Sequence, residues 1–333
     1  MLFARHSGSA SVVEATAPCR VDLAGGIVAG FPEALGPVAA ISVAVALDRR
    51  AYCRIERASS GVRVESKDTL LKVEVPRVAD LPTEGVPGLV RHVLLALRAE
   101  SDLHVVTQAR VPVGAGLRSD TALAVAVAAA AARLWGLAIG PEELARMARG
   151  VAGAEPGAAV DALVAAWGGV AAAPIDAKGG AAERLRVDPA RIEECLLLVD
   201  PGSDAVPSPT TEEAVVRAAL AEIAAGALGV REALVAGRPS PVTSLVAAEH
   251  EAWRRLGLVA PGGAAEAISR LARAAGGAAR PCGRGPKSLV LVWAEPGERR
   301  EGPKEALVLA LKAAGYRTFP CRLDLRGLEV EEA

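Results

Sequence analysis

The chain has 333 residues, of which 51% are hydrophobic and 23% charged, a composition typical of a globular protein with one large or two ordinary domains. Its 38 basic and 39 acidic side chains leave a formal net charge of −1, so no overall field favours nucleic acid or an anionic membrane as a partner. The five cysteines are widely spaced without a CxxC pair, which argues against a metal site or a disulfide framework. The N-terminal segment lacks an apolar run of signal-peptide length, and we expect a cytoplasmic protein.

The first half of the chain predicts strands followed by helices. Alternating and β-branched segments indicate four strand regions, at 12–19, 39–57, 61–76 and 103–111. A helix is predicted for 88–99, where apolar residues recur at helical spacing. After residue 112 a glycine-rich turn leads into a long alanine-rich helix, and Pro141 opens another helix with two acids in its first turn.

The second half restarts at a buried strand near Glu194. Helices are predicted next, at 211–235, 242–256 and 261–275, and the chain then closes with a strand, a helix and a last strand, at 288–296, 303–314 and 316–323. This order predicts an α+β block with helices on one face of a sheet. We predict two domains, 1–180 and 181–333.

The segment 112–123, PVGAGLRSDTAL, has the features of a phosphate cradle. Gly114 and Gly116 allow a tight turn and a close approach of the backbone to a ligand. The helix that follows directs its free N–H groups and the positive end of its dipole at this turn. No Gly-Lys-Ser/Thr follows, so the segment is not a Walker A loop. Taken alone, the segment is as compatible with a turn that binds nothing as with a phosphate site.

Four segments resemble signatures of the GHMP kinases, the family of galactokinase, homoserine kinase, mevalonate kinase and phosphomevalonate kinase. Residues 17–26, APCRVDLAGG, resemble the opening motif of the family's sugar kinases, and 112–123 resemble P-x-G-x-G-L-G-S-S-x-A. Residues 160–169, VDALVAAWGG, resemble V-D-x-x-x-A-x-[YFW]-G-G, and 282–288, CGRGPKS, resemble the third glycine-rich signature. The four stand in the family's order, and the first favours the sugar- or heptose-kinase-like branch.

The resemblance implies an α+β fold of two domains. A ribosomal-protein-S5-like N-terminal α/β domain would precede a ferredoxin-like C-terminal α+β domain. It also implies that the chain transfers the γ-phosphoryl group of ATP to a hydroxyl of a sugar-like metabolite, with Mg²⁺ as the metal. The partner would be a small molecule, and the protein a monomer or homodimer.

Carried over residue by residue, the resemblance makes Asp161 the base or orienting group at the acceptor hydroxyl and Arg20 the cation that stabilises it. Ser119 matches a serine that helps to hold Mg²⁺. The nucleotide would contact two glycine-rich segments, through Gly114, Ala115, Gly116, Leu117, Arg118, Ser119, Asp120, Thr121, Gly283 and Gly285. The residue types alone also allow structural roles, namely an ion pair of Arg20 with Asp22 and helix caps for Asp161 and Ser119.

Two departures from the family pattern concern the phosphate and metal sites. Arg118-Ser119-Asp120 replaces Gly-Ser-Ser, so a carboxylate would repel ATP, while Arg118 would either pair with Asp120 or bind phosphate itself. Residues 149–153 contain no carboxylate where the family usually has a metal ligand, and another acid would have to substitute, the candidates being Glu142, Glu143 and Glu155.

Two further departures concern the acceptor and the third signature. The run 27–31 is apolar where sugar kinases commonly carry an acid that holds substrate hydroxyls, and Glu33 is the acid nearby. Arg284 and Lys287 crowd the third signature, although the two cations would suit an anion. Elsewhere, Glu249 to Glu251 on a predicted helix are expected to form a solvated face, and Trp253 is expected in the core.

Two functions of different kinds remain open from the sequence. One is an ATP-dependent small-molecule phosphotransferase with Arg20 and Asp161 at the reaction centre. The other is a catalytically impaired homologue, a pseudokinase that binds a ligand or a partner protein. Retention of Arg20 and Asp161 favours the enzyme, whereas Asp120 and the missing metal carboxylate favour the pseudokinase.

Overall fold

The structure is a computed structural model, and it describes residues 11–31, 34, 40–149, 158–175, 182–203, 207–295 and 302–333. Its N-terminal part runs, in chain order, through β1 (Val12–Ala24), β2 (Ile41–Arg57), β3 (Val62–Ser66), β4 (Leu71–Val75), α1 (Gly85–Ala96), β5 (Leu103–Gln108), α2 (Ser119–Leu134), α3 (Pro141–Arg149), α4 (Ala158–Trp167) and β6 (Val170–Pro174). A short 3₁₀ helix, Gly26–Gly30, follows β1.

The remainder of the chain contains a second set of elements. In chain order these are β7 (Glu183–Arg184), α5 (Pro189–Cys195), β8 (Leu196–Asp200), α6 (Glu213–Val235), α7 (Ser240–Arg255), α8 (Ala264–Ala274), β9 (Ala278–Pro281), β10 (Val290–Trp293), α9 (Pro303–Ala313), β11 (Arg317–Pro320) and β12 (Glu329–Glu332). Together the described elements form the two-domain α+β fold that the sequence predicts.

The first sheet has the strand order β12-β1-β2-β5-β3-β4, and β6 and β7 extend it from the beginning of β2. The long strand β2 pairs with β6 through Ile41–Val45 and with β5 through Tyr52–Arg57. The pairing of β3 with β5 is parallel, whereas β1 with β2 is antiparallel. Strand β12 pairs with β1, so the prediction that a strand at 316–323 is the last one is wrong.

Helix α2 crosses this sheet as a central element of the N-terminal core. Its side chains are buried almost all around the helix, from Thr121 to Ala132 and at Leu134. A helix that is apolar on every side is stable only where other elements cover it on every side. The small side chain of alanine lets these elements pack close to the helix. The packing therefore fixes the position of the first turn of α2, and with it the loop before it.

The second sheet has the order β11-β8-β10-β9, with antiparallel neighbours throughout. Its helices α6 to α9 agree with the sequence prediction to within a few residues. Strand β9 was not predicted because its four residues, Ala-Ala-Arg-Pro, lack alternation and β-branched side chains although all four are buried. Helix α5 was also missed, since it lies immediately before the predicted strand.

Two findings bear on the expectations from composition. No helix among the described residues has the length and apolar character needed to cross a membrane. The five cysteines are all free and buried, as a chain without a disulfide framework predicts.

Candidate functional site

A cavity of about 400 Å³ lies between segments of the two domains. Its wall contains Arg20 and Asp22 from β1, parts of the Gly26–Gly30 turn, residues 113–120, residues 282–285 and Trp253 of α7. The structure thus brings three of the four family-like segments to one cavity. The fourth contributes Asp161, which contacts the side chains of Arg20 and Arg118.

The loop 113–118 has the geometry of an anion cradle. Its backbone φ is positive at every second residue, 84° at Gly114, 79° at Gly116 and 50° at Arg118. Such alternation turns successive N–H groups toward one side and forms a concave anion site. The loop ends at Ser119, the first residue of α2, where the helix dipole adds to the same potential.

Gly116 is required by the close approach of the third glycine-rich segment. A Cβ at Gly116 would lie 2.8 Å from the carbonyl carbon of Cys282 and 2.9 Å from the nitrogen of Gly283. The two loops are joined by a hydrogen bond in which Leu289 N donates to Ala115 O at 3.1 Å. Gly283 and Gly285 line the cavity, and Gly283 lies close to Gly116 of the phosphate-type loop.

Asp161 lies in the first turn of α4 and is 2% exposed. Arg20 Nε donates to its Oδ1 at 2.6 Å, and Arg118 Nε lies 3.2 Å from its Oδ2. One carboxylate therefore has two guanidinium groups, one on each oxygen, which leaves a net positive charge. Arg20 therefore pairs with Asp161 rather than with Asp22, and Arg118 also contacts Asp161.

Arg20 and Asp22 are two residues apart on β1 and face the same side of the sheet. The register of β1 with β2 shifts between Pro18 and Arg20 and again between Asp22 and Ala24. Bulges of this kind turn side chains toward a site at the end of a strand. The backbone N–H of Arg20 also donates to Leu117 O at 3.1 Å, which ties this strand to the phosphate-type loop.

Ser119 and Asp120 begin α2 at the cavity wall. Asp120 is exposed, and its Oδ1 accepts from the backbone N–H of Thr121 at 2.9 Å. Thr121 itself is buried. The carboxylate therefore stands at the positive end of the helix, where it would compete with a phosphate group and could offer an oxygen to a cation.

The family pattern predicts a metal site that combines Ser119 with a nearby carboxylate. Within the described residues, no group of three or more His, Cys, Asp and Glu side chains could hold a metal ion. Glu143 pairs with Arg146, and Glu142 accepts from Trp167 Nε1 at 2.9 Å. Glu155 and most of 149–153 lie outside the described residues, as does Glu33.

A second arginine–carboxylate cluster lies behind the cavity wall, and sequence reasoning missed it. Arg280 of β9 is 0% exposed, and its Nη2 donates to both the carbonyl and the Oδ2 of Asp22 at 2.8 Å. Its Nε lies 3.4 Å from Glu249 Oε1, and its guanidinium lies over the ring of Trp253 at 5.5 Å. Trp253 Nε1 donates to Glu249 at 3.3 Å. The cluster joins β1 of the N-terminal domain to α7 and β9 of the C-terminal domain.

Glu249 and His250 are buried, so the expectation of a solvated face is wrong for both. Burial raises the pKa of Glu249 to about 7, and the nearby Asp22 carboxylate adds to this rise against the opposing Arg280. Burial likewise lowers the pKa of His250 to about 4. The charged neighbours of Glu249 lie on β1 and β9, two strands that are far apart in the sequence. No local pattern could therefore identify them.

Another wall residue, Cys282, is not a candidate nucleophile. Burial raises the pKa of its thiol to about 12, which keeps it protonated at neutral pH. Arg284, in the same loop, reaches across the cavity and lies against Gly30, where a Cβ would be 3.3 Å from its Nη1. The cavity is thus bounded on this side by a contact between the two domains.

A second cavity, of about 520 Å³, lies beside the first. It has Val113, Ser119 and Asp120 in common with the first cavity. The rest of its wall combines apolar side chains such as Val86, Leu89 and Leu123 with polar and charged ones, including Asp68 and His92. The phosphate-type loop and the start of α2 therefore separate two adjoining spaces, one polar and one largely apolar.

Comparison with sequences places these features among known proteins. Residues 88–169 match the family model described as the GHMP kinases N terminal domain. A mevalonate kinase from Thermococcus sibiricus is 30% identical over 176 residues, which cover 47% of this chain and 50% of that protein. One from Pyrococcus abyssi is 31% identical over 176 residues, again 47% of this chain and 50% of the relative. The chain therefore spans about half the length of the curated relatives it matches.

Solved structures share the fold over nearly the whole chain. A D-glycero-D-manno-heptose 1-phosphate kinase from Bacteroides thetaiotaomicron superposes with a TM-score of 0.75 at 20% identity, covering 96% of this chain and 99% of that one. A galactokinase from Lactococcus lactis, complexed with galactose, superposes with a TM-score of 0.70 at 14% identity, covering 97% and 95%. At such identities the similarity establishes the common two-domain fold.

Proposed function

We propose that this chain, which belongs to the GHMP kinase family, transfers the γ-phosphoryl group of ATP to a hydroxyl group of a sugar-like small molecule. The observation that carries the proposal is the buried pair of Arg20 and Asp161, with 2.6 Å between Nε and Oδ1, in contact with the wall of a cavity that begins at a phosphate-type loop. A carboxylate fixed by a cation at such a place can orient an acceptor hydroxyl and receive its proton. A cytoplasmic location and a monomeric or dimeric state stay predictions.

The two adjoining cavities suit the two parts of ATP. The largely apolar one beside α1 offers Val86 and Leu89 to a flat base. The loop 113–118 offers backbone N–H groups to the phosphates, and Ser119 opens a helix whose dipole favours anions. The γ-phosphoryl group would then point into the polar cavity, toward Arg118 and Asp161.

The residues at the start of α2 also fit a magnesium ion that is bound together with ATP. Mg²⁺ usually takes one or two protein oxygens and completes its shell with phosphate and water. The Ser119 hydroxyl and the Asp120 carboxylate stand side by side at the cavity wall and would supply these oxygens. When bound, the ion would neutralise phosphate charge, and Asp120 would then attract Mg·ATP although it repels the metal-free nucleotide.

The acceptor would occupy the part of the polar cavity opposite the phosphate-type loop. There Ile27, Gly30 and an edge of the buried Trp253 line the cavity together with Asp22. A wall that combines apolar and polar groups suits the mixed surface of a sugar. The sugar class is further supported by fold relatives that are named as a heptose 1-phosphate kinase and a galactokinase.

The test is thermal unfolding with and without nucleotide. Millimolar Mg·ATP should raise the unfolding midpoint of the chain, whereas Mg²⁺ alone should not, because a ligand that binds only the folded state stabilises it. If Mg·ATP stabilises the chain, a panel of free and phosphorylated sugars follows, with ADP release as the readout. Absence of any midpoint shift with ATP, ADP or their magnesium complexes would contradict the proposal.

A second candidate function is that of a pseudokinase, which binds a ligand or a partner protein without phosphoryl transfer. Two observations favour it specifically, the double pairing of Asp161 with Arg20 and Arg118 and the carboxylate of Asp120 at the phosphate end of α2. The same measurements separate the two functions. A nucleotide-dependent shift without ADP release from any acceptor in the panel would favour the pseudokinase.

A further inference from the structure

Arg118 occupies a backbone position that suits glycine. Its φ of 50° and ψ of 45° lie in the left-handed region, at the residue that precedes the first turn of α2. A side chain with a Cβ is disfavoured there, and non-glycine residues in this conformation concentrate at functional sites. The signature that this segment resembles has glycine at the same place. The chain therefore keeps an arginine where its backbone favours a glycine.

The side chain of Arg118 lies between the phosphate-type loop and the reaction centre. Its Nε is 3.2 Å from Asp161 Oδ2, and the side chain remains 30% exposed and lines the polar cavity. Asp161 does not depend on this contact for charge compensation, because Arg20 holds its other oxygen at 2.6 Å. The guanidinium can thus leave Asp161 without exposing an unpaired buried carboxylate.

We propose that Arg118 is a catalytic residue, whose guanidinium turns from Asp161 to the γ-phosphoryl group when the nucleotide binds. The inference rests on the proposed function. In the transfer, the acceptor oxygen forms a bond to the γ phosphorus while the bond from that phosphorus to the β–γ bridging oxygen breaks, and the electron pair leaves with ADP. The hydroxyl proton passes to the carboxylate of Asp161. Arg118 contributes positive charge to the equatorial oxygens of the transferred group.

The exchange of partners links nucleotide binding to the base. In this structure Asp161 has a guanidinium group on each oxygen, and transfer of Arg118 to the phosphoryl group would leave Arg20 on Oδ1 and open Oδ2 to the acceptor hydroxyl. Arrival of the γ-phosphoryl group would thus give the acceptor access to its base. Arginine suits this role because its planar group binds phosphate oxygens through two parallel hydrogen bonds.

Nucleotide affinities test the proposal without knowledge of the acceptor. Calorimetric titration would compare Mg·AMP-PNP, an analogue with a non-transferable γ-phosphoryl group, with Mg·ADP. The wild-type chain should bind AMP-PNP about tenfold more tightly, as expected for one strong charge-assisted contact to the terminal phosphoryl group. Arg118→Gly removes the contact to the γ-phosphoryl group, a group that ADP does not have. The affinities for AMP-PNP and ADP should therefore become equal within about twofold.

A matched control is available directly after α1, which ends at Ala96. Arg98 has a φ of 58°, is exposed, and lines neither of the two cavities described above. Arg98→Gly makes the same chemical change in the same backbone conformation and should keep the preference for AMP-PNP. Glycine is favoured at both positions, so both variants should fold. Arg118→Lys, which keeps the charge without the planar fork, should keep part of the preference.

Once an acceptor is found, the turnover of Arg118→Gly should fall by about 10³-fold, and millimolar guanidinium should restore part of it. A purely structural role would not respond to added guanidinium. Retention of the AMP-PNP preference in Arg118→Gly would overturn the inference, and so would equal affinities in the wild-type chain. If the wild-type chain binds neither nucleotide, the proposed function fails and the inference fails with it.

Discussion

The two arginine–carboxylate clusters at the cavity have opposite composition. The cluster of Arg20, Arg118 and Asp161 has two cations for one anion, whereas that of Asp22, Glu249 and Arg280 has one cation for two potential anions. The first includes a partly exposed side chain and carries surplus positive charge, which suits ATP. The second is closed from solvent and connects the two domains. Under the proposed function, similar residue types would serve chemistry in one cluster and structure in the other.

The two clusters differ in how far their side chains are accessible to a ligand. The oxygens of Asp22 accept from Ser42 Oγ, the Gly26 N–H and Arg280 Nη2, so this carboxylate is fully used by the protein. In the first cluster, the side chain of Arg118 is 30% exposed and lines the cavity. Substitutions in the first cluster should therefore change turnover more than stability, and substitutions in the second should do the reverse.

The largest expected effect is that of Asp161→Asn on turnover. The amide can still accept from Arg20 but cannot take up the acceptor proton, so the rate should fall by about 10²- to 10⁴-fold. ADP release measures it, with the acceptor found in the sugar panel. Asp48→Asn alters an exposed residue of β2 and serves as the control. Wild-type turnover in Asp161→Asn would remove the first cluster from the reaction.

Arg280→Met should have the largest effect on stability. It leaves the carboxylates of Asp22 and Glu249 buried without their cation, and breaking such a buried pair typically costs about 3–5 kcal/mol in the free energy of unfolding. Urea denaturation measures the change. Adding Glu249→Gln should recover part of the loss, since a glutamine at this buried position needs no cation beside it. A loss below about 1 kcal/mol would show that Arg280 does not stabilise the buried carboxylates of Asp22 and Glu249.

The pH dependence of stability should be altered by Glu249→Gln. The pKa of Glu249 is raised from its ordinary value of 4.5 to about 7, so between these values the folded state holds a proton that the unfolded state has released. Its contribution to stability is therefore complete at low pH and is lost as the pH rises toward 7, with a slope of at most about 1.4 kcal/mol per pH unit. Glutamine mimics the protonated form and should remove this slope. Parallel curves of unfolding free energy against pH for wild type and variant would contradict the assignment.

The comparison also shows what sequence could predict. The family-like motifs single out Gly114, Gly116, Arg20 and Asp161, and the structure places these residues at or against the wall of one cavity. Arg280 was missed because β9 is four buried residues without alternation. Glu249 was wrongly expected on a solvated face. Helical spacing shows which residues share a side of the helix, but tertiary contacts with β1 and β9 decide whether that side is buried. The partner of Arg118 depended equally on tertiary structure, since Asp120 is nearer in sequence than Asp161.

The smallest predicted effect concerns Asp120. It distinguishes a role as a ligand of Mg²⁺ from that of a charge that only repels the nucleotide. Against metal-free ATP, Asp120→Asn should improve affinity about two- to fivefold at low salt, because it removes a like charge in a largely aqueous setting. Added salt should shrink this gain, since exposed charges are screened. With Mg²⁺ present the same variant should bind ATP less tightly than wild type, because it loses an oxygen ligand that carries charge. Calorimetric titration with ATP and EDTA, and then with Mg·ATP, measures both arms. Improved affinity in both would mean that Asp120 only opposes the nucleotide, and would strengthen the pseudokinase alternative.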